Sequence, residues 1–201
     1  MIYRANTTTN FRLKAVLPNS GERRSITMSA RATARPEKTE YPTYAGSYVA
    51  RVPDGDIVSI LGRQLQETLA LIRSIPEARG EFRYADGKWS VKEVIGHVID
   101  TERVFAYRAL RFARGDATPL EGFEQDDYVR GGSFDKRSLS DLADEYEHVR
   151  RATISLFANL DEEAWTRRGT ANKNEVSVRG LAFIVAGHER HHVEILRTRY
   201  L

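Results

Sequence analysis

The 201-residue sequence predicts an all-α fold, a four-helix bundle behind a disordered N-terminal extension. Three observations carry this reading. Four segments of roughly 20 residues place apolar side chains every three or four positions, the helical period. None of the four contains a proline, and no stretch sustains the two-residue alternation of a half-buried strand.

Residues 1–40 are rich in Thr, Ser, Asn and Arg and lack an apolar period, while Pro18, Pro36, Pro42 and Pro53 all fall early. They read as a disordered extension, as a start assigned too early with Met28 as the alternative, or, being Arg-rich and acid-poor, as a transit segment. The bundle domain is expected over 41–201. Its first helix carries Ile57, Leu61, Leu65, Thr68, Ile72 and Ile75 on one face and stops before Pro76. Ser90-Val91-Lys92-Glu93 reads as a capping box, and the helix it opens runs through Val94, His97, Val98, Thr101, Val104, Phe105 and Leu110 to Gly115. The third starts near Ser138, with Leu139, Leu142, Tyr146, Val149, Thr153, Leu156 and Leu160 as its stripe. Asp161-Glu162-Glu163 places acids at the head of a short helical turn around Trp165. The last helix begins at Ser177 and continues to about Arg199 through Leu181, Val185, His188, His192 and Leu196. The link between Gly115 and Arg137 is long for a bundle, and its acidic, aromatic tract Phe123–Tyr128 could roof one end.

Composition removes several functions. Without cysteine, there is no disulfide framework, Cys-ligated zinc, iron–sulfur cluster or cysteine nucleophile. The longest apolar run, Gly180 to Gly187, is far short of the roughly 20 residues of a membrane span, so a soluble, cytoplasmic protein is expected. The charge of +3 is unevenly spread: residues 1–40 hold eight Lys/Arg against three Asp/Glu, and the remainder 23 against 25. The body therefore has no basic stripe for phosphates, and no nucleic-acid partner is expected.

Chemistry concentrates in the histidines. His188 and His192, four residues apart, lie on one helix face with Cβ atoms about 6 Å apart and can present two imidazoles to one ion. His97, on the inner stripe of the second helix, could add a third. Three neutral imidazoles suit a divalent transition metal and leave coordination positions for water or substrate. The same residues also fit a solvated helix end with one hydrogen-bonded core histidine, and spacing alone leaves both readings open. His191 shares a face with His188 as well, although the stripe of Leu181, Val185 and Leu196 favours His192. His148 sits among charges and reads as a surface residue.

The segment Gly87–Val104 (GKWSVKEVIGHVIDTERV), followed some 90 residues later by His188–Leu196 (HERHHVEIL), resembles the DinB superfamily, most closely its YfiT-like group of metal-dependent hydrolases. The resemblance covers roughly residues 53–199. It implies a four-helix bundle, often a homodimer, in which a His-x₉₀-His-x₃-His triad binds a divalent metal, commonly Zn²⁺ or Ni²⁺. These positions correspond to His97, His188 and His192. Gly96 departs from relatives that carry a second histidine before the ligand.

Two enzymatic readings follow. In one, the metal activates water for hydrolysis of a small amide or ester. Asp100, one turn beyond His97, is then the candidate general base, with Glu102 further round; either would equally serve as a partner for a ligand's ring N–H or as a surface acid. In the other, the metal holds a low-molecular-weight thiol as its thiolate for S-transfer or isomerisation, with Arg103, Arg108 and Tyr128 as candidates around it by position. A metal-binding dimeric module without turnover is the third reading. No Gly-rich phosphate loop or nucleophile elbow is present. Glu145-x-x-His148 and Glu189-x-x-His192 lack the further inward glutamates of a di-iron site.

Overall fold

The structure, a computed structural model, describes residues 34–201. We label its helices α1 (Gly46–Val49), α2 (Ile57–Ser74), α3 (Val91–Ala113), α4 (Gln125–Gly132), α5 (Leu139–Ala158) and α6 (Val178–Ile195). A hairpin of β1 (Arg168–Ala171) and β2 (Asn174–Ser177) precedes α6. The extension expected over 1–40 lies outside the described residues up to position 33. Its final residues pack onto the domain.

Each long helix starts where its sequence provides a cap. Asp56, Ser90, Ser138 and Ser177 accept from the backbone N–H three residues on, and at Ser90 the Glu93 carboxylate completes the capping box. Beyond Ile195 the chain continues through one π-helical turn, Leu196–Tyr200.

Around the bundle the order is α2, α5, α3, α6. Arg73 at the end of α2 pairs with Asp144 near the start of α5, so these two run antiparallel. Trp89, just before α3, meets Tyr200 beyond α6, and Ala113 at the α3 end meets Arg167 before it, which makes α3 and α6 antiparallel too. Gln64 and Thr68 of α2 contact Ala186 and Glu189 of α6 in the same order, so that pair is parallel. Parallel α3 and α5 are therefore neighbours, and the segment between them must return along the bundle. That accounts for the long link, part of which is α4.

The core has two apolar halves with a polar belt between them. One half gathers Ile57, Leu61, Phe112, Phe157, Trp165 and Phe183; the other gathers Leu69, Ile72, Val94, Leu142, Tyr146 and Leu196. Burial of such side chains contributes about 1.5–3 kcal/mol each, which offsets the cost of burying polar groups at mid-height. His97, Thr101 and Glu102 of α3, Arg150 and Thr153 of α5, and His188, Glu189 and His192 of α6 form the belt with Gln64 and Thr68 of α2.

The short helices α1 and α4 and the β1–β2 hairpin fall outside the expected plan. The β1–β2 hairpin turns at Asn172-Lys173, both with positive φ (48° and 62°), as a two-residue primed turn requires. Leu120 of the long link adds to its edge through Leu120 N–H to Thr170 O and Asn172 N–H to Leu120 O, both 2.9 Å. At the N-terminal side, Arg35 donates to Val49 O at 2.9 Å, and buried Glu40 accepts from Ser177 Oγ at 2.7 Å and from Arg179. Packing of the domain thus starts before Tyr41.

Candidate metal centre

α3 and α6 cross the belt side by side, and their inward positions bring His97, His188 and His192 together. The candidate ligand atoms of these three lie within 4.8 Å of one another, and all three residues are buried. His97 Nε2 and His188 Nε2 are 3.0 Å apart, close to the ~3.3 Å expected between two nitrogens on one tetrahedral ion with ~2.05 Å bonds. Thr101 Oγ1 stands 3.3 Å from His97 Nδ1. In the tautomer where Nδ1–H donates to that hydroxyl, Nε2 turns its lone pair to the cluster. His192 has ring neighbours but no hydrogen-bond partner among the described residues.

Burial keeps these rings neutral. It pulls His97 down to about 4 against the opposing field of Asp126, and His192 to about 3 with help from His97 and His191. His188 is lowered still more firmly by burial, then by its histidine neighbours. Three neutral imidazoles facing one another, with one partner hydroxyl between them, are a donor set that a divalent transition metal fits.

Close packing shapes the surroundings. Trp89 lies 4.7 Å from the His97 ring, centroid to centroid, and Tyr48 of α1 meets His188 edge-on at 5.4 Å. α1 can approach because α6 has Gly187 there; a Cβ would come 2.0 Å from Tyr48 O. At Gly96 a Cβ would sit 2.3 Å from the Phe134 ring. That ring fills the space a histidine at 96 would need, which gives the departure at this position a steric reason.

The other singled-out residues separate clearly. His191 is half-buried against Tyr48 and outside the donor cluster, and His148 is exposed. Asp100 is not among the residues lining the cavity beside the cluster. It is half-buried and accepts from Arg103 Nη1 at 3.3 Å, and burial raises its carboxyl above the ordinary range while Arg103 opposes this. Thr101, not Asp100, touches His97.

A cavity of about 380 Å³ opens beside His97 and His188, walled by Tyr44, Tyr48, Phe105, Arg108 and Phe123. Phe123, Glu124 and Gln125 come from the long link, so the tract expected to roof one end of the bundle lines this cavity beside the histidines.

Behind the histidines is a charge network centred on Arg150; the sequence pointed to Glu102 as a nearby carboxylate but not to its pairing. Arg150, fully buried, donates to Glu102 from Nε at 2.8 Å and from Nη2 at 2.7 Å. Its Nη1 lies 2.6 Å from Glu189 Oε2, an ion pair without hydrogen-bond alignment. Glu189 also accepts from Tyr146 (2.8 Å), Gln64 (3.0 Å) and Thr68. Burial disfavours the arginine's charge, but the two carboxylates outweigh it and hold the guanidinium protonated. The network ties all four long helices together at the height of the histidines.

Residues 60–196 match the family described as the DinB superfamily. No curated protein matches the sequence. Among solved structures, the fold is similar to YfiT from Bacillus subtilis, a probable metal-dependent hydrolase with an unusual four-helix bundle topology. That likeness has TM-score 0.60 at 13% identity and covers 82% of this chain and 92% of that one. The fold is also similar to the mycothiol-dependent maleylpyruvate isomerase, with TM-score 0.58 at 14% identity over 72% of this chain. The match spans 61% of the isomerase's length. At such identities the likeness is one of fold.

Proposed function

This chain belongs to the DinB superfamily, and we propose that it is a mononuclear metal enzyme, a hydrolase of a small molecule, with His97, His188 and His192 holding one divalent ion, Zn²⁺ or Ni²⁺. The observation that carries the reading is the convergence of three buried imidazoles on one point beside a cavity of about 380 Å³, a volume suited to a small-molecule site. When bound, such an ion supplies Lewis acidity, lowering the pKa of water and polarising a carbonyl.

The chain's own residues do the rest. Thr101 holds the proton of His97 on Nδ1. Tyr48 packs edge-on against His188 and Trp89 packs at a tilt against His97, which restricts both ring planes. The Arg150 network keeps α3 and α6 at the separation that brings the imidazoles together. Asp100 acts in this reading through its pair with Arg103, so Asp100→Asn leaves metal content unchanged and turnover within about threefold. A loss of 10²–10⁴-fold, the worth of a general base, would return the base role to it.

A second reading, thiol-dependent S-transfer or isomerisation, is compatible with a chain that has no cysteine, because the thiol would come from a small molecule, for which the cavity of about 380 Å³ has room. Zinc- or nickel-loaded protein, assayed on a panel of esters and amides with and without added thiol, separates the two. Turnover without thiol supports hydrolysis, strict thiol dependence supports the second reading, and no turnover on either panel leaves a metal-binding module. The homodimer rests on the family resemblance, and sedimentation of the purified chain tests it.

A further inference from the structure

We infer that Arg108 anchors a carboxylate of the cavity's ligand, which makes that ligand a small organic acid with an apolar body; the inference rests on this cavity being the binding site proposed above.

Arg108 is 5% exposed, yet among the described residues its guanidinium meets no carboxylate. Its one hydrogen bond runs from Nη2 to the backbone Glu121 O at 2.8 Å. The other deeply placed guanidiniums are paired: Arg150 with Glu102 and Glu189, and Arg179 with Glu40. A buried charge without a counter-charge is unfavourable, and a site that keeps one gains when an anion arrives. Guanidinium is always protonated in proteins and its planar fork matches a carboxylate's two oxygens.

The position fits this use. Arg108 lines the cavity beside His97 and His188, and also an adjoining recess of about 350 Å³ formed with Leu120, Phe123 and Tyr128. Its Cζ lies 5.8 Å from the centroid of Phe105, and the same ring stands 6.1 Å from His188. Cation and imidazole thus both lie near one aromatic side chain, and all three line the same cavity. Phe123, whose ring centroid is 5.9 Å from the Cζ, adds a second apolar wall. Glu121 and Glu124, the nearby acids of the link, have exposed side chains, and it is the carbonyl of Glu121 that Arg108 engages.

Calorimetric titration of the full chain, zinc-loaded and metal-stripped, against phenylacetate and phenylacetamide tests the inference. A second pair, 3-mercaptopropionate and 2-mercaptoethanol, shows whether the acid belongs to a substrate or to a thiol. The expected result is that at least one acid binds tenfold or more tightly than its neutral partner in both forms. Arg108→Gln abolishes that preference, and Arg108→Lys retains part of it. Circular dichroism and melting establish that both variants fold, and the lysine variant carries the test if the glutamine variant does not. No acid preference, no binding of any probe at millimolar concentration, or a preference that survives Arg108→Gln would overturn the inference. A preference that disappears with the metal while ignoring Arg108 would also overturn it, placing the carboxylate on the ion. A chain that takes up no metal but shows Arg108-dependent acid binding would instead sink the metalloenzyme reading alone.

Discussion

At His97 the two ring nitrogens have different neighbours: Thr101 at Nδ1 and the His188 imidazole at Nε2. That division makes Thr101→Val a sharp test, because the methyl preserves shape while the hydroxyl is lost. Metal affinity should fall 10–100-fold, the usual cost of removing a ligand's outer partner, as read by competition with a chromophoric chelator. An unchanged affinity would remove Thr101 from the site. Arg150 makes the opposite kind of prediction. Arg150→Met leaves Glu102 and Glu189 buried without their cation and should destabilise the chain by about 3–5 kcal/mol in urea unfolding. Much of the triad was readable because helical spacing fixes which residues share a face: His188 with His192, and His97 on the apolar stripe. The stripe of Leu181, Val185 and Leu196 already favoured His192 over His191, which packs against Tyr48 outside the donor cluster. Glu189 shares the helical spacing of Val185, His192 and Leu196, yet its charge within Gly187–His192 reads as part of an outer face. Only the partners on α2 and α5, far away in sequence, show that it points inward.

Among the elements, the four long helices were legible from period and caps, with Ser90, Ser138 and Ser177 all capping as their sequence context implies. The hairpin was not, because strands of four residues are too short for alternation to register, and its turn uses Asn-Lys where glycine would have signalled it. α1 was equally silent: four residues held by tertiary contact carry no period of their own. The segment leading into it is fastened by Glu40. Burial raises that carboxyl, but Arg179, the Glu37 backbone and Ser177 outweigh burial and leave it below its ordinary value of 4.5. A carboxylate with a lowered folded pKa contributes stability above the unfolded pKa and loses it as pH falls through the folded value. Limited proteolysis between Arg35 and Tyr41 should therefore be slow at neutral pH and accelerate below about pH 4.5. Glu40→Gln should cleave quickly at all pH values. Equal protection of the variant at neutral pH would show that the Glu40 contacts do not hold the segment.

For the molecule as a whole, the sequence predicted a bundle but not the order of its helices around the axis. That order depends on α3 and α5 running parallel, and only the length of the Gly115–Arg137 link hinted at it. Among the described residues no helix is long and apolar enough to cross a membrane. The arrangement makes α3 and α6 antiparallel neighbours joined at mid-height by histidines from both, so an ion held there cross-links two helices of the folded state. Occupancy at about 100 times Kd should add about 2.7 kcal/mol, a rise in Tm of roughly 5–10 °C for a chain of this size, reversed by chelator. The most direct test is the metal content of untagged protein, wild type beside His97→Ala and the double variant His188→Ala/His192→Ala, each confirmed folded by circular dichroism. The account predicts close to one equivalent of divalent metal in the wild type and none in either variant. Wild-type protein that carries no metal and takes up neither Zn²⁺ nor Ni²⁺, or variants that retain the full equivalent, would contradict it.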